Sequence, residues 1–156
     1  MKYLVLLLAV TAVSFGYISH GPHVKVWLPT GDMGDAHNTS FGIHYQAMYH
    51  MPVVAIEGTI GYVFLSTEID EMDASLIPIS LGIRSYSGSM YAAGGLEYDH
   101  IKWSMGDLDD SNGEIGGFFG AGMVNRMGFG KLDIGVRAHW MDFDEFMISL
   151  GAGLIF

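Results

Sequence analysis

The chain has no cysteine and four prolines in 156 residues. Disulfides cannot staple it, although small exported domains often depend on them. Only 15% of residues are charged, and no cluster of Lys or Arg occurs. Nucleic-acid recognition is therefore excluded, because phosphate binding needs concentrated positive charge. No segment after the first sixteen residues offers the about 20 consecutive apolar residues of a membrane-spanning helix. Long stretches of helical period are missing too. Motif chemistry is equally sparse: there is no Gly-rich loop ending in Lys-Ser or Lys-Thr and no His-Glu-x-x-His.

What is present is apolar surface. Half of the residues are hydrophobic, and 22 are glycine without a collagen period. A soluble chain of this length has too little interior to hide so much apolar surface. A lipid-facing exterior removes the conflict.

Residues 1–16 read as a secretory signal peptide. Lys2 supplies the positive start, Tyr3 to Val13 the apolar run, and Ser14 with Gly16 the small residues before a cleavage point placed after Gly16. As an uncleaved anchor the run is too short to span a bilayer.

Beyond residue 20 the pattern has period two. Eight segments, 23–29, 39–50, 53–65, 75–86, 89–103, 114–125, 130–141 and 145–156, alternate apolar with polar or small residues. The last is the clearest. Phe146, Ile148, Leu150, Ala152, Leu154 and Phe156 share one face, and Met147, Ser149, Gly151, Gly153 and Ile155 the other. Most of these lengths suit the roughly 9–11 residues of a tilted transmembrane strand. The pattern predicts an all-β, eight-stranded antiparallel up-and-down transmembrane β-barrel over residues 22–156. Closure is required because each unpaired backbone group in hydrocarbon costs several kcal/mol.

Alternation alone allows two barrels, one soluble with its apolar face inward and one in lipid with that face outward. The Gly- and Ser-rich second face and the aromatics near the strand ends favour the membrane form. A soluble ligand-binding barrel of the lipocalin class is the competing reading. The connections 30–38, 66–74 and 104–113 read as long polar loops, and 142–144 as a short acidic one. The alternate turns are tight. Twelve of the seventeen acidic residues fall at the long-loop end: Asp32, Asp35, Glu68, Asp70, Glu71, Asp73, Asp107, Asp109, Asp110, Asp142, Asp144 and Glu145. That end is expected to face outward as an acidic rim, with divalent cations as possible partners of its carboxylates.

Parity places Lys25, His44, Gln46, Glu57, Arg84, Glu97, Asp99, Asp133, Arg137 and His139 inside. Glu57 with Arg84, and Glu97 with Arg137, are the expected ion pairs of a lumen charge network, since an unpartnered buried charge is very costly. The leading reading is a mostly filled polar lumen in a barrel with a structural or surface-interaction role. A narrow pore for ions or small solutes is the alternative. Catalysis is not expected. His100 and Ser104 share a face that Asp99 does not, and no serine neighbours His139 in sequence. No metal site and no cofactor are expected, because His44 and His50 lie about 20 Å apart along one strand.

Three stretches and the last residue carry a family resemblance: Trp27-Leu28-Pro29-Thr30-Gly31-Asp32, Leu76 to Arg84, Met90 to Tyr98, and the run ending in Phe156. In order and spacing they resemble the outer-membrane β-barrel domain superfamily, the eight-stranded class of the OmpA transmembrane domain and the OmpX-like proteins. The resemblance implies export through the periplasm to the bacterial outer membrane. It also implies contact with outer-membrane lipid including lipopolysaccharide. Phe156 would then be the C-terminal signal read by the barrel assembly machinery. The histidine–serine arrangement of the lipid A-modifying members is not evident around His139-Trp140-Met141, which speaks against that activity.

Overall fold

The computed structural model describes residues 16–30, 37–67, 72–105, 108–141 and 145–156. They form eight strands: β1 Tyr17–Thr30, β2 His37–His50, β3 Val54–Thr67, β4 Met72–Ser87, β5 Met90–Met105, β6 Leu108–Met127, β7 Gly130–Met141 and β8 Glu145–Ile155. Each pairs antiparallel with its sequence neighbours, and β1 pairs with β8, so the sheet closes as a barrel. At the seam, His20 and Phe156 exchange backbone hydrogen bonds of 3.2 and 2.9 Å. Among the described residues every strand thus has a paired neighbour on each side, as hydrocarbon requires, and β6 pairs with β5 alone only from Leu108 to Ile115.

Tight turns lie at the end where the described residues begin, at Gly16, and finish, at Phe156, hereafter the near end. Ser87 pairs with Met90 across Gly88-Ser89, and Met127 with Gly130 across Gly128-Phe129. Gly88 has φ of 64°, a conformation that a side chain would strain.

The far end departs from the sequence reading. Segments 66–74 and 104–113 are not long loops. The β4–β5 ladder runs up to Met72↔Met105, and the β5–β6 ladder continues to Met105↔Leu108. β6 is 20 residues long, about 66 Å at 3.3 Å per residue, far more than the apolar band of about 25 Å needs. Polarity ended the apolar pattern but not the pairing, because a ladder above the membrane still satisfies its backbone groups. β1 likewise starts at Tyr17, ahead of residue 23. Tyr17 to Pro22 pair with Tyr45 to His50, which brings the barrel's start ahead of residue 22. The segments predicted as signal peptide and most of the acidic rim (residues 1–15, 31–36, 68–71, 106–107 and 142–144) lie outside the described residues.

Two irregularities have local causes. A bulge between Asn38 and Phe41 shifts the β2–β3 register. There Ser66 N–H donates to Ser40 Oγ (3.0 Å), and that hydroxyl donates to Asn38 O (2.9 Å). The β3–β4 pairing lapses between Ile60↔Ile79 and Val63↔Leu76, opposite Pro78, which has no N–H to give.

The two faces separate cleanly. Val24, Phe41, Ile43, Ile60, Leu81, Leu96, Ile134, Val136 and Leu150 are exposed on the outer wall, Leu81 by 66% and Leu150 by 51%. All ten residues expected inside are buried, Lys25 and Arg137 included. This overturns the soluble lipocalin-like alternative, which needed the β8 apolar face turned inward. The phase of β5, ambiguous in sequence, is set by buried Tyr91, Ala93, Glu97, Asp99 and Ile101 against exposed Met90, Leu96 and Tyr98. Aromatics meet side by side in the outer wall at the far end, where Phe41 pairs with Phe64 and Trp140 with Phe146. Such rings mark the interface between hydrocarbon and water.

Candidate functional site: the filled lumen

Two apolar clusters and a set of charged residues fill the interior. Tyr91, Ala93 and Phe118 pack with Tyr86 and Val124. At the far end, Trp27, Val63, Leu65, Leu76, Ile101, Met141 and Met147 form an apolar plug backed by Ala74 and Trp103. The charge layer is level with the first of these clusters: Arg84 pairs with Ala93 and Asp133 with Val124 in the ladders.

Arg84 and Glu57 are both fully buried. Arg84 donates from Nε to Glu57 Oε2 (2.8 Å) and from Nη1 to Asp133 Oδ2 (2.6 Å). Its guanidinium carbon lies 3.8 Å from the Tyr91 ring centroid, and Tyr91 OH donates to Asp133 Oδ1 (2.8 Å). His23 Nε2 is 3.5 Å from Asp133 Oδ2. Gln46 Nε2 donates to Glu57 Oε2 at 3.3 Å. Fixed in this way, each charge meets opposite charge and hydrogen bonds, as a low-dielectric interior demands.

Arg137 does not pair with Glu97. Its Nη2 lies 2.8 Å from Glu57 Oε1, so one carboxylate on β3 bridges arginines from β4 and β7. The lumen is narrow enough that a long side chain crosses it, and strand adjacency does not decide the partner. Arg137 also lies over Phe118, 4.7 Å from the ring centroid.

Glu97 instead takes His139. Its Oε1 accepts the Nδ1 proton of His139 (2.6 Å), which leaves Nε2 to accept from Ser149 Oγ (2.8 Å). Sequence reasoning missed Ser149. It stands on β8 next to β7, where Arg137↔Ser149 and His139↔Met147 are the pairs. Inward parity on adjacent strands was the available signal. A hydroxyl, an imidazole and a carboxylate in series can activate a nucleophile. Here all three are buried, and the Trp27 ring covers His139 at 4.3 Å between centroids. The cavity that Ser149 shares with His23, Lys25, Gln46, Asp133 and Arg137 measures about 20 Å³. That is room for one water and for no substrate. The series is a structural hydrogen-bond chain.

His44 accepts from Trp27 Nε1–H at 3.3 Å, tying the charge layer to the plug. Gly61 makes room for it, since a Cβ there would run into the imidazole. Asp99 is one exception to the pairing rule, and Lys25 is another. Asp99 is 1% exposed, yet neither carboxylate oxygen has a hydrogen-bond partner among the described residues, and Glu114 stands directly opposite. Lys25 Nζ sits 5.6 Å from the centroid of the Trp27 ring.

Among the described residues no three His, Asp or Glu side chains are placed to hold a metal ion. Of the acidic-rim residues, Asp73 and Asp110 are exposed on the far-end ladder extension. There they line a groove of about 710 Å³ with Tyr62, Phe64, Lys102 and Trp103. His100 and Ser104 lie outward on β5, while Asp99 is inward and buried. Phe156 is exposed at the near end beside the seam.

No family model and no curated protein sequence matches the chain. Solved structures do. Neisserial surface protein A superposes with a TM-score of 0.68 at 14% identity, over 90% of this chain and 97% of that one. Ail, the attachment invasion locus protein of Yersinia pestis, gives 0.57 at 18% identity, over 90% and 97%. The N-terminal β-barrel domain of Pseudomonas aeruginosa OprF gives 0.56 at 14% identity, over 90% and 99%. The fold is therefore that of the eight-stranded outer-membrane barrels.

Proposed function

We propose that the chain is a non-catalytic, non-conducting barrel of the bacterial outer membrane, with a structural and surface-directed role. One observation carries this reading: the cavity among the charged residues, lined by His23, Lys25, Asp133 and Arg137, measures about 20 Å³. Ions cannot file past Arg84, Glu57 and Arg137 without breaking a buried network, which costs several kcal/mol. The narrow-pore alternative therefore requires a rearranged lumen.

Surface action falls to the far end, where β4, β5 and β6 extend above the aromatic belt and expose Asp73 and Asp110. With its twelve carboxylates, this end suits divalent cations shared with the phosphates of the outer-leaflet glycolipid, lipopolysaccharide. Phe156 at the β1–β8 seam is the residue we assign to recognition by the barrel assembly machinery, after a signal peptide over residues 1–16 has directed export. The test is conductance of the refolded chain in planar bilayers. The expected result is a silent membrane, and steady ohmic channels at low voltage would refute the sealed lumen.

A further inference from the structure

The charged side chains at the near-end mouth of the barrel are of one sign. Residues 16–22, 49–56, 84–93, 125–132 and 154–156, which build this end in register, contain no Asp or Glu, although the chain as a whole has a net charge of -10. They do contain Arg126 and Lys131, which stand directly opposite each other in the β6–β7 ladder. Like charges in that position repel. Deeper in the barrel the two arginines are matched, since Arg84 and Arg137 both meet carboxylates, while Lys25 lies over the Trp27 ring. Asp133, the next acid inward, is already held by Arg84, Tyr91 and His23.

A cavity of about 210 Å³ opens in front of the two bases, lined also by Tyr17, Ser19, His50 and Tyr86. Its wall is fixed by its own contacts. The Tyr17 and His50 rings stack at 4.4 Å, and Tyr86 lies 5.8 Å from His50. Ser19 Oγ and His50 Nε2 are hydrogen-bonded at 2.7 Å. Lys131 Nζ donates to Tyr17 OH at 3.3 Å and so is held toward the mouth. Arg126 has no hydrogen-bond or ion-pair partner among the described residues.

We propose that this mouth binds a phosphate group. Arg126 and Lys131 supply paired positive charge with spare N–H donors, and Tyr17 supplies a hydroxyl at the rim. A bound phosphate turns the cross-strand repulsion into a clamp, since both bases then share one anion. The cavity is large enough for a phosphate together with part of its organic substituent. Two sources share this chemistry: the headgroup of a phospholipid in the adjoining leaflet, and a small soluble phosphoester. The proposal is independent of whether the lumen conducts.

The experiment uses the refolded chain in phosphate-free maltoside micelles. Glycerol 1-phosphate and short-chain phosphatidylglycerol are titrated separately, and the Arg126 side-chain and Lys131 amide resonances are followed by NMR. Saturable shifts are expected with at least one probe. The Arg126→Gln/Lys131→Gln variant should raise the apparent dissociation constant at least tenfold, and Lys102→Gln should leave it within twofold. A lipid source predicts saturation at least tenfold earlier with phosphatidylglycerol, and a soluble source predicts no such gap. Folding is monitored by heat-modifiable gel mobility. Because the double variant removes a repulsion, it should fold at least as well as the parent without phosphate. Should it fail to fold, Arg126→Gln alone serves, and the thermal stabilisation that either probe gives the parent should be absent from it. Shifts that never saturate, or that weaken equally in Lys102→Gln, overturn the proposal.

Discussion

Arg84→Ala probes the lumen most sharply. The change removes a hydrogen bond and an ion contact to Glu57, a hydrogen bond to Asp133 and the stacking over Tyr91. Glu57 keeps Arg137, and Asp133 keeps Tyr91 and His23. Removing one partner of a buried ion pair costs about 3–5 kcal/mol. The cation–π contact adds up to about 2 kcal/mol. The surviving partners return part of this, so the expected net loss is about 4 kcal/mol, roughly a thousandfold in the folded-to-unfolded ratio. Arg137→Ala removes one contact to the same carboxylate and should cost about 2 kcal/mol. Reversible urea unfolding in lipid vesicles, followed by Trp27, Trp103 and Trp140 emission, measures both. The Glu57→Ala/Arg84→Ala variant should lose less than the sum of its singles by about 1 kcal/mol or more, because the pair is in direct contact. An Arg84→Ala loss below about 1 kcal/mol, in the range of ordinary surface substitutions, would refute the network's structural role.

Asp99→Asn should leave stability unchanged or raise it, in contrast to Glu57→Gln, because Asp99 has no partner to lose; the same unfolding assay decides. Leu81→Arg should cost about 2–4 kcal/mol if that side chain faces mid-bilayer hydrocarbon, and much less if it faces water. Gly61→Ala should cost about 1–3 kcal/mol by forcing the His44 ring away from Trp27, visible as a change in the near-ultraviolet circular dichroism of the tryptophans. Ser149→Ala should cost about 1 kcal/mol, and Ser149 in the folded parent should not react with fluorophosphonate reagents, since no substrate-sized space reaches it.

The fold was legible because lipid and lumen impose opposite chemistry on alternate residues. In β7, Ile134 and Val136 against Asp133, Arg137 and His139 leave no doubt about which side faces which solvent. The signal failed wherever both faces were alike. Trp27, Leu76, Ile101, Met141 and Met147 point inward, but apolar residues at inward positions look the same as lipid-facing ones, so the far-end plug was invisible. Residues 104–113 were read as a loop because polarity ends an apolar pattern, whereas backbone pairing needs no apolar residue. Strand-by-strand parity found each member of the charge network but not its pairings. Arg137 reaching Glu57, and His139 lying between Glu97 and Ser149, depend on register and on side chains that cross a narrow interior.

One labelling experiment addresses the division of inside from outside most directly. The chain has no cysteine, so single cysteines carrying nitroxides can be placed at Leu81 and Leu150 on the outer wall, and unlabelled single cysteines, close in size to serine, at Ser80 and Ser149 within. In vesicles, the first two labels should relax strongly with oxygen, which concentrates in hydrocarbon, and weakly with a water-soluble nickel chelate, while the thiols at the second two should resist a maleimide in the folded barrel and react after unfolding. Nickel-accessible labels at Leu81 and Leu150, with thiols at Ser80 and Ser149 that react freely in the folded barrel, would contradict it.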